Sequence, residues 1–198
     1  MAEVELPNPE ELHERREDHF SRRVALVTAV FAVLLAIAAL GGNHAMKEML
    51  LAQQKSSDQW AFYQAKVIRE HQYRGQKLRL EADLVERGDS IKPEARNKLE
   101  TLMNRFEEEE KRYNVEKKDI EKDAKKLEHE RDVWQAKDPY FLFAEAVLQI
   151  AIVMSSVSIL SRSRLIFYFS LVLAALGALL TANGYFSYFD FPLLPGVH

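Results

Sequence analysis

"VALVTAVFAVLLAIAALGGNHAM", Val24 to Met46, contains no Asp, Glu, Lys or Arg. A helix of about 20 apolar residues spans the roughly 30 Å hydrocarbon core of a bilayer, so the stretch predicts a transmembrane helix over 24–44. A secretory signal is the rival reading, because Arg22 and Arg23 precede the run and Ala36-Ile37-Ala38 imitates a cleavage site. Two features oppose it. The run exceeds the apolar core of a signal, about 7 to 15 residues, and the leader is long and acidic where a signal starts short and basic. Residues 1–23 carry seven acids against four arginines. They read as an acidic, partly disordered segment, with residues 1–9 disordered behind Pro7 and Pro9 and an amphipathic helix starting near Glu10.

Two more charge-free runs follow, Ala146 to Leu160 and Leu165 to Phe189. The first reaches spanning length only when extended back to Tyr140, which predicts a span over 139–161 with Glu145 inside it. The last predicts a span over 165–187, leaving 188–198 as a tail. Zero cysteines exclude disulfides, thiolate metal sites and cysteine catalysis.

Between the first two spans, residues 45–138 form a charged segment. Lys47 to Asp138 holds 21 Lys plus Arg and 21 Asp plus Glu. That balance argues against a nucleic-acid partner, which calls for a basic excess. The composition favours helix, broken at "RGDSIKPEA", Arg87 to Ala95. Gly88 suits a left-handed C-terminal cap, Asp89 and Ser90 a turn, and Pro93 the first turn of a new helix. Ala45 to Arg87 is 43 residues and Glu94 to Lys137 is 44. Arms of equal length, about 65 Å each, start and finish at one membrane surface. The predicted fold class is therefore all-α: an integral membrane protein with three transmembrane helices and a long antiparallel, coiled-coil-like hairpin between the first and second spans, turning at 88–93. Arg87-Gly88-Asp89 is read as part of that turn rather than as an adhesion motif.

The second arm shows a seam alternating three and four residues: Leu99, Met103, Phe106, Glu110, Tyr113, Lys117, Ile120, Ala124, Leu127, Arg131 and Trp134. On the first arm Met46, Leu50, Gln53, Ser57, Trp60, Tyr63, Val67, Arg74, Leu78 and Val85 lie near one face. Folding about residues 90 and 91 sets residue i opposite 181 − i, which places Trp60 near Ile120, with Lys117 and Ala124 a turn to either side. Trp60 lies about 20 Å beyond Met46 along a straight helix, too far for the interfacial aromatic belt. Trp60 and Tyr63 are therefore expected to pack in the seam within the hairpin, with packing between subunits or a partner-peptide or ligand site as the alternatives. Phe62 points off it, toward another chain. Trp134, with Tyr140, suits the belt.

Candidate chemistry is sparse. Glu145 and Gln149 are spaced i, i+4 on the second span, with Ser156 further along, and an intramembrane carboxylate raises a proton or ion path as one reading and interhelical hydrogen bonding as the other. Ala174, Ala178 and Ala182, with Gly177 beside them, form a small-residue face for close helix packing. His13, His19, His44, His71, His129 and His198 lack tight ligand spacing, and the run Glu107 to Glu110 reads as a solvated helix face. No nucleophile elbow, phosphate loop or metalloprotease motif is present. No catalytic, cofactor or metal residues are expected, and no enzyme.

Orientation follows from basic residues at span ends. Arg15, Arg16, Arg22 and Arg23 on the leader and Arg162 and Arg164 in "SRSR" predict a cytoplasmic N-terminus and a periplasmic hairpin. The lysines and arginine at the foot of the second arm argue for the reverse.

"SSDQWAFYQAK", after a span ending in "GGNHAMKEMLL", together with "FAEAVLQIAIVMSSVSILSRSRLIFYFSLVLAALGALL" near the other end, resembles the bacterial membrane family catalogued as domain of unknown function 4337. The resemblance covers nearly the whole chain. It implies a multi-pass protein of the bacterial inner membrane and supplies no functional residues to carry over. The expected function is a membrane-anchored helical scaffold or accessory subunit whose hairpin engages copies of itself or another envelope protein. The alternative is a small transporter or channel subunit using Glu145.

Overall fold

The structure, a computed structural model, describes residues 9–87 and 90–187, with side chains from residue 19 onward. The expected disorder at the extreme N-terminus, the Gly88 cap, the Asp89 turn and the tail at 188–198 lie outside the described residues. Three helices make up the fold: α1, Pro9–Arg87; α2, Pro93–Leu160; and α3, Arg164–Phe186. The two long helices pack together, and each of the three carries a stretch long and apolar enough to cross a membrane. α2 runs through Pro139 without a break, although proline there denies the Gln135 carbonyl its helical amide partner. The chain divides into two compact units, one of Met1–Glu48 with Asp132–His198, the other of Met49–Arg131.

The first unit is a three-helix bundle with an inverted distribution of side chains. Its interior is lined by Val24, Phe31, Ala38 and Ala45 of α1, by Phe141, Ala144, Leu148, Ala151, Ser155 and Ser158 of α2, and by Ser170, Ala174, Gly177, Thr181 and Gly184 of α3. Its exterior carries Leu26, Val30, Leu40, Leu165, Val172 and Leu179, each more than half exposed. Small and hydroxyl residues inside with large aliphatics outside is the arrangement expected of helices whose solvent is lipid. The buried hydroxyls are satisfied within the bundle. Thr28 and Ser155 share a 2.6 Å hydrogen bond, and Ser158, Ser170 and Thr181 donate to carbonyls one turn back.

Glycine decides how closely these helices approach. The Phe141 ring, 2% exposed, sits against Gly41 and Gly42 of α1 and Gly184 of α3. A Cβ at Gly41 would clash with the ring, and one at Gly184 would lie 2.9 Å from it. Leu148 meets Gly177 in the same way, its Cγ 2.6 Å from where a Cβ would stand. The small-residue face of α3 is thus rotated from the predicted one. Ala174 is buried and Gly177 with it, but Ala178 is half-buried and Ala182 exposed; Thr181 and Gly184 complete the packed stripe. A tight turn joins α2 to α3. Arg162 takes a left-handed conformation, φ 50°, and the Ser163 amide donates to the Ser158 carbonyl at 3.2 Å, closing the end of α2 with the long backward bond typical of such caps.

The second unit pairs two antiparallel arms. On the α2 arm, all of the predicted seam positions from Leu99 to Arg131 are buried or half-buried. The α1 arm differs from expectation. Its inward positions are Met49, Ala52, Ser56, Gln59, Tyr63, Lys66, Glu70, Tyr73, Lys77, Leu80 and Leu84, again alternating three and four. Leu50, Gln53, Ser57, Arg74, Leu78 and Val85, placed on the seam by the sequence reading, are exposed, as is Met46 outside this unit. The error is one helical position, and its cause is chemical: Ser56, Gln59, Lys66, Glu70 and Lys77 on the true face are polar, so the large aliphatics beside it drew the assignment away. The pairing register also sits further along. Cross-arm partners such as Glu70 with Asn114 and Arg74 with Glu110 sum to 184 rather than 181, which sets residue 60 opposite 124 rather than 121, beside Ile120.

Candidate functional site

The inward face of the α1 arm would be a poor core by itself, since Ser56, Gln59, Lys66, Glu70 and Lys77 occupy it. The second arm supplies the missing partners. Lys66 meets Glu116 at 2.5 Å, Lys77 meets Glu110 at 3.1 Å, and Arg131 donates to Gln53 at 3.0 Å. Glu70, 8% exposed, accepts from Lys117 at 2.5 Å and from Asn114 at 2.8 Å. Burial pushes the Glu70 carboxyl up, but the hydrogen bonds from Lys117 and Asn114 and the charges of Lys117 and His71 outweigh it, and its pKa lies below the ordinary 4.5. The Lys66 hydrogen bond lowers Glu116 in the same sense.

Around these pairs lies an aromatic cluster. Tyr73 stacks on Tyr113 at 5.7 Å between centroids and leans on Phe106 at 5.8 Å. Lys66, Arg69 and Arg112 surround the buried Tyr113 ring at 4.9 to 5.9 Å, a distance at which cations are drawn to an aromatic face. Hydrogen bonds from Arg69 and Arg112 lower the Tyr113 phenol. Tyr73 was missed in the sequence because the assumed α1 seam stepped from Val67 to Arg74. The seven-residue spacing Ala52, Gln59, Lys66, Tyr73, Leu80 carries the signal that finds it.

Trp60 and Tyr63 lie half-buried, edge to face at 5.4 Å, and the Trp60 indole donates to Glu128 across the arms at 2.9 Å. Phe62 is 50% exposed, with the Lys66 ammonium over its ring at 5.0 Å. Trp134, in the other unit, packs edge to face on His44 at 5.4 Å and takes Lys137 over its ring.

Glu145 is half-buried on α2 beside Gly42, its Oε1 3.2 Å from where a Cβ there would stand. Gln149 and Ser156 are exposed, and Ser156 donates to the Ile152 carbonyl of its own helix. Glu145 is set against α1, whereas Gln149 and Ser156 stand on the exposed surface of α2. Within the run Glu107 to Glu110, three carboxylates face cations: Glu107 with Lys111, Glu109 with Arg112, and Glu110 with Lys77. Among the described residues no three His, Asp or Glu side chains converge as a metal site would require.

Fold and site together define an all-helical protein with three candidate membrane spans and two long packed helices. The family model described as "Domain of unknown function (DUF4337)" matches residues 20–187, and the chain belongs to that family. No curated protein and no solved structure gives a significant match.

Proposed function

We propose that the protein is a multi-pass inner-membrane scaffold or accessory subunit, without enzymatic activity, that acts through protein contacts of its paired arms. The arms use coiled-coil pairing, and the hairpin they form is periplasmic. One observation carries the reading: on arms held together by polar pairs, Phe62, Ile68, Leu78, Val85 and Val115 stand 50 to 88% exposed. Apolar side chains left in water on a charged helix pair are those whose burial by another chain would gain most. A seam of Lys, Glu and Tyr also specifies one register while contributing little stability, which suits a module whose outer face recruits another chain. That chain is a second copy or another envelope protein.

A photo-crosslinking residue at Phe62 of the full chain, in native membranes, is expected to give discrete adducts to another polypeptide. Deleting residues 49–131 should abolish the protein's associations. If every partner survives that deletion, the scaffold role is wrong. The orientation is checked separately with a reporter enzyme active only in the periplasm, which should work when fused at Ser90 and fail at Ser163. The reverse pattern would place the arms in the cytoplasm. The transport alternative loses support because Gln149 and Ser156 face away from the bundle; flux in liposomes abolished by Glu145→Gln would restore it.

A further inference from the structure

Arg23 closes the charged leader immediately before the charge-free run on α1, and Arg164 opens α3 immediately before the charge-free run on that helix. The fold brings these two borders together. Phe20 and Phe167 meet edge to face at 5.9 Å, and beside them lies a cavity of about 620 Å³ lined by His19, Phe20 and Arg23 of α1 and Arg164, Phe167 and Tyr168 of α3. Both guanidiniums are exposed, and among the residues from 19 onward, whose side chains are described, no carboxylate pairs with either. The lining is therefore cationic and aromatic, open to solvent, and level with the apolar ends of two candidate spans.

We propose that this cavity binds the phosphate of an anionic phospholipid headgroup. Guanidinium is the side chain best matched to phosphate, since its fixed fork of N–H donors meets two oxygens at once. The His19 ring offers a further N–H donor in either protonation state. Phe20, Phe167 and Tyr168 give the glycerol and upper acyl region an amphipathic wall, the role aromatic residues take at the headgroup level. Basic pockets between membrane helices hold anionic headgroups by the same chemistry. A soluble phosphate would satisfy the guanidiniums but would leave that aromatic wall unused, which selects the lipid. The proposal rests on membrane insertion of α1 and α3 and is independent of the scaffold role of the arms.

The test is native mass spectrometry of the full chain, released from detergent micelles doped with equal phosphatidylglycerol and phosphatidylcholine. Alkaline extraction of membranes reports insertion by itself, so a failure of that premise is seen separately. Retained phosphatidylglycerol is expected to exceed phosphatidylcholine, and Arg23→Gln with Arg164→Gln should cut its retention about thirtyfold, at roughly one tenfold-or-less factor per basic residue lost. Arg23→Lys with Arg164→Lys should recover part of it, and Lys98→Gln with Lys126→Gln on the arms should change nothing. Equal retention of the two lipids by the unaltered chain overturns the proposal, and this outcome does not depend on any variant folding. So does equal loss from the arm variant, which would make the effect one of net charge. Displacement of the lipid by millimolar inorganic phosphate would assign the site to a soluble anion and overturn the lipid assignment.

Discussion

Phe141→Ala is expected to lower the stability of the three-helix bundle by about 2 to 4 kcal/mol. Truncating a buried phenylalanine in a soluble core costs about 3 to 5 kcal/mol, part of it transfer from water and part the cavity left behind. For candidate spans set in lipid the transfer part would shrink, because acyl chains are as apolar as the interior. The cavity and dispersion parts remain. They are large here, since the ring fills a cage whose walls are Gly41, Gly42 and Gly184, and glycine has no side chain with which to collapse into the void. The converse substitution is Gly41→Val, which drives a Cβ into the ring and should cost about 1 to 3 kcal/mol as overpacking. The pair makes a double-mutant cycle. With the ring removed, valine at 41 has room, so the double variant should be more stable than the sum of the singles implies, by about 0.5 to 3 kcal/mol. Denaturation of the full chain by titrating a harsh detergent into mild micelles measures all four corners. Additive losses would mean that ring and glycine do not press on each other and that the close approach of α1 to α2 has another cause.

The parts of this fold legible in sequence were those signalled by what residues avoid. Three stretches avoid charge, and each lies in a helix apolar enough to cross a membrane. One stretch collects Gly, Asp and Pro, and α1 ends just before it at Arg87 while α2 begins at Pro93. The α2 seam was legible because Phe106, Tyr113, Ile120 and Leu127 announce it by size. The α1 seam was not, because its inward residues are defined by partners on the other arm: Lys66 belongs inside only if Glu116 faces it, and Glu70 only if Lys117 and Asn114 do. No reading of one helix alone contains that information. The same holds for Gly41 and Gly42, which look like the fraying end of a span until Phe141, a hundred residues away, is seen against them. The basic cavity was half visible. Arg23 and Arg164 were read for orientation, yet their convergence needed the contact of Phe20 with Phe167.

Reversing one charge of the Glu70–Lys117 pair should have the second large effect, and restoring complementarity should undo it. Lys117→Met removes a charged donor from a carboxylate that is 8% exposed and leaves it Asn114 alone. Breaking a fully buried pair costs about 3 to 5 kcal/mol. In a pair of helices water reaches most positions after small motions, so the lower figure for an unsatisfied polar group, about 1 to 3 kcal/mol, is expected. Glu70→Lys should cost more, since two ammonium groups then face each other, and Glu70→Lys with Lys117→Glu should regain most of the loss. Hydrogen exchange of arm amides in the full chain reads the effect locally. The same pair sets the acid response. A folded-state pKa below 4.5 for Glu70 means that its carboxylate stabilises the arms fully above the unfolded value and loses that contribution as pH falls through the folded value. Protection, taken relative to the intrinsic exchange rate at each pH, should therefore fall as the pH drops below about 4.5, and Glu70→Gln, which cannot titrate, should flatten that part of the profile while weakening the arms at neutral pH. Replacing both residues by leucine separates stability from register. Burying apolar side chains in place of an ion pair is commonly neutral or stabilising, so slower exchange in that variant is the expected result. If the polar pair is there to fix alignment, cysteines at residues 60 and 124 should crosslink cleanly in the natural chain and give mixed registers in the leucine variant. Clean crosslinking in both would show that the arms take their alignment from the turn and the aromatic cluster, and that Glu70 and Lys117 serve only each other.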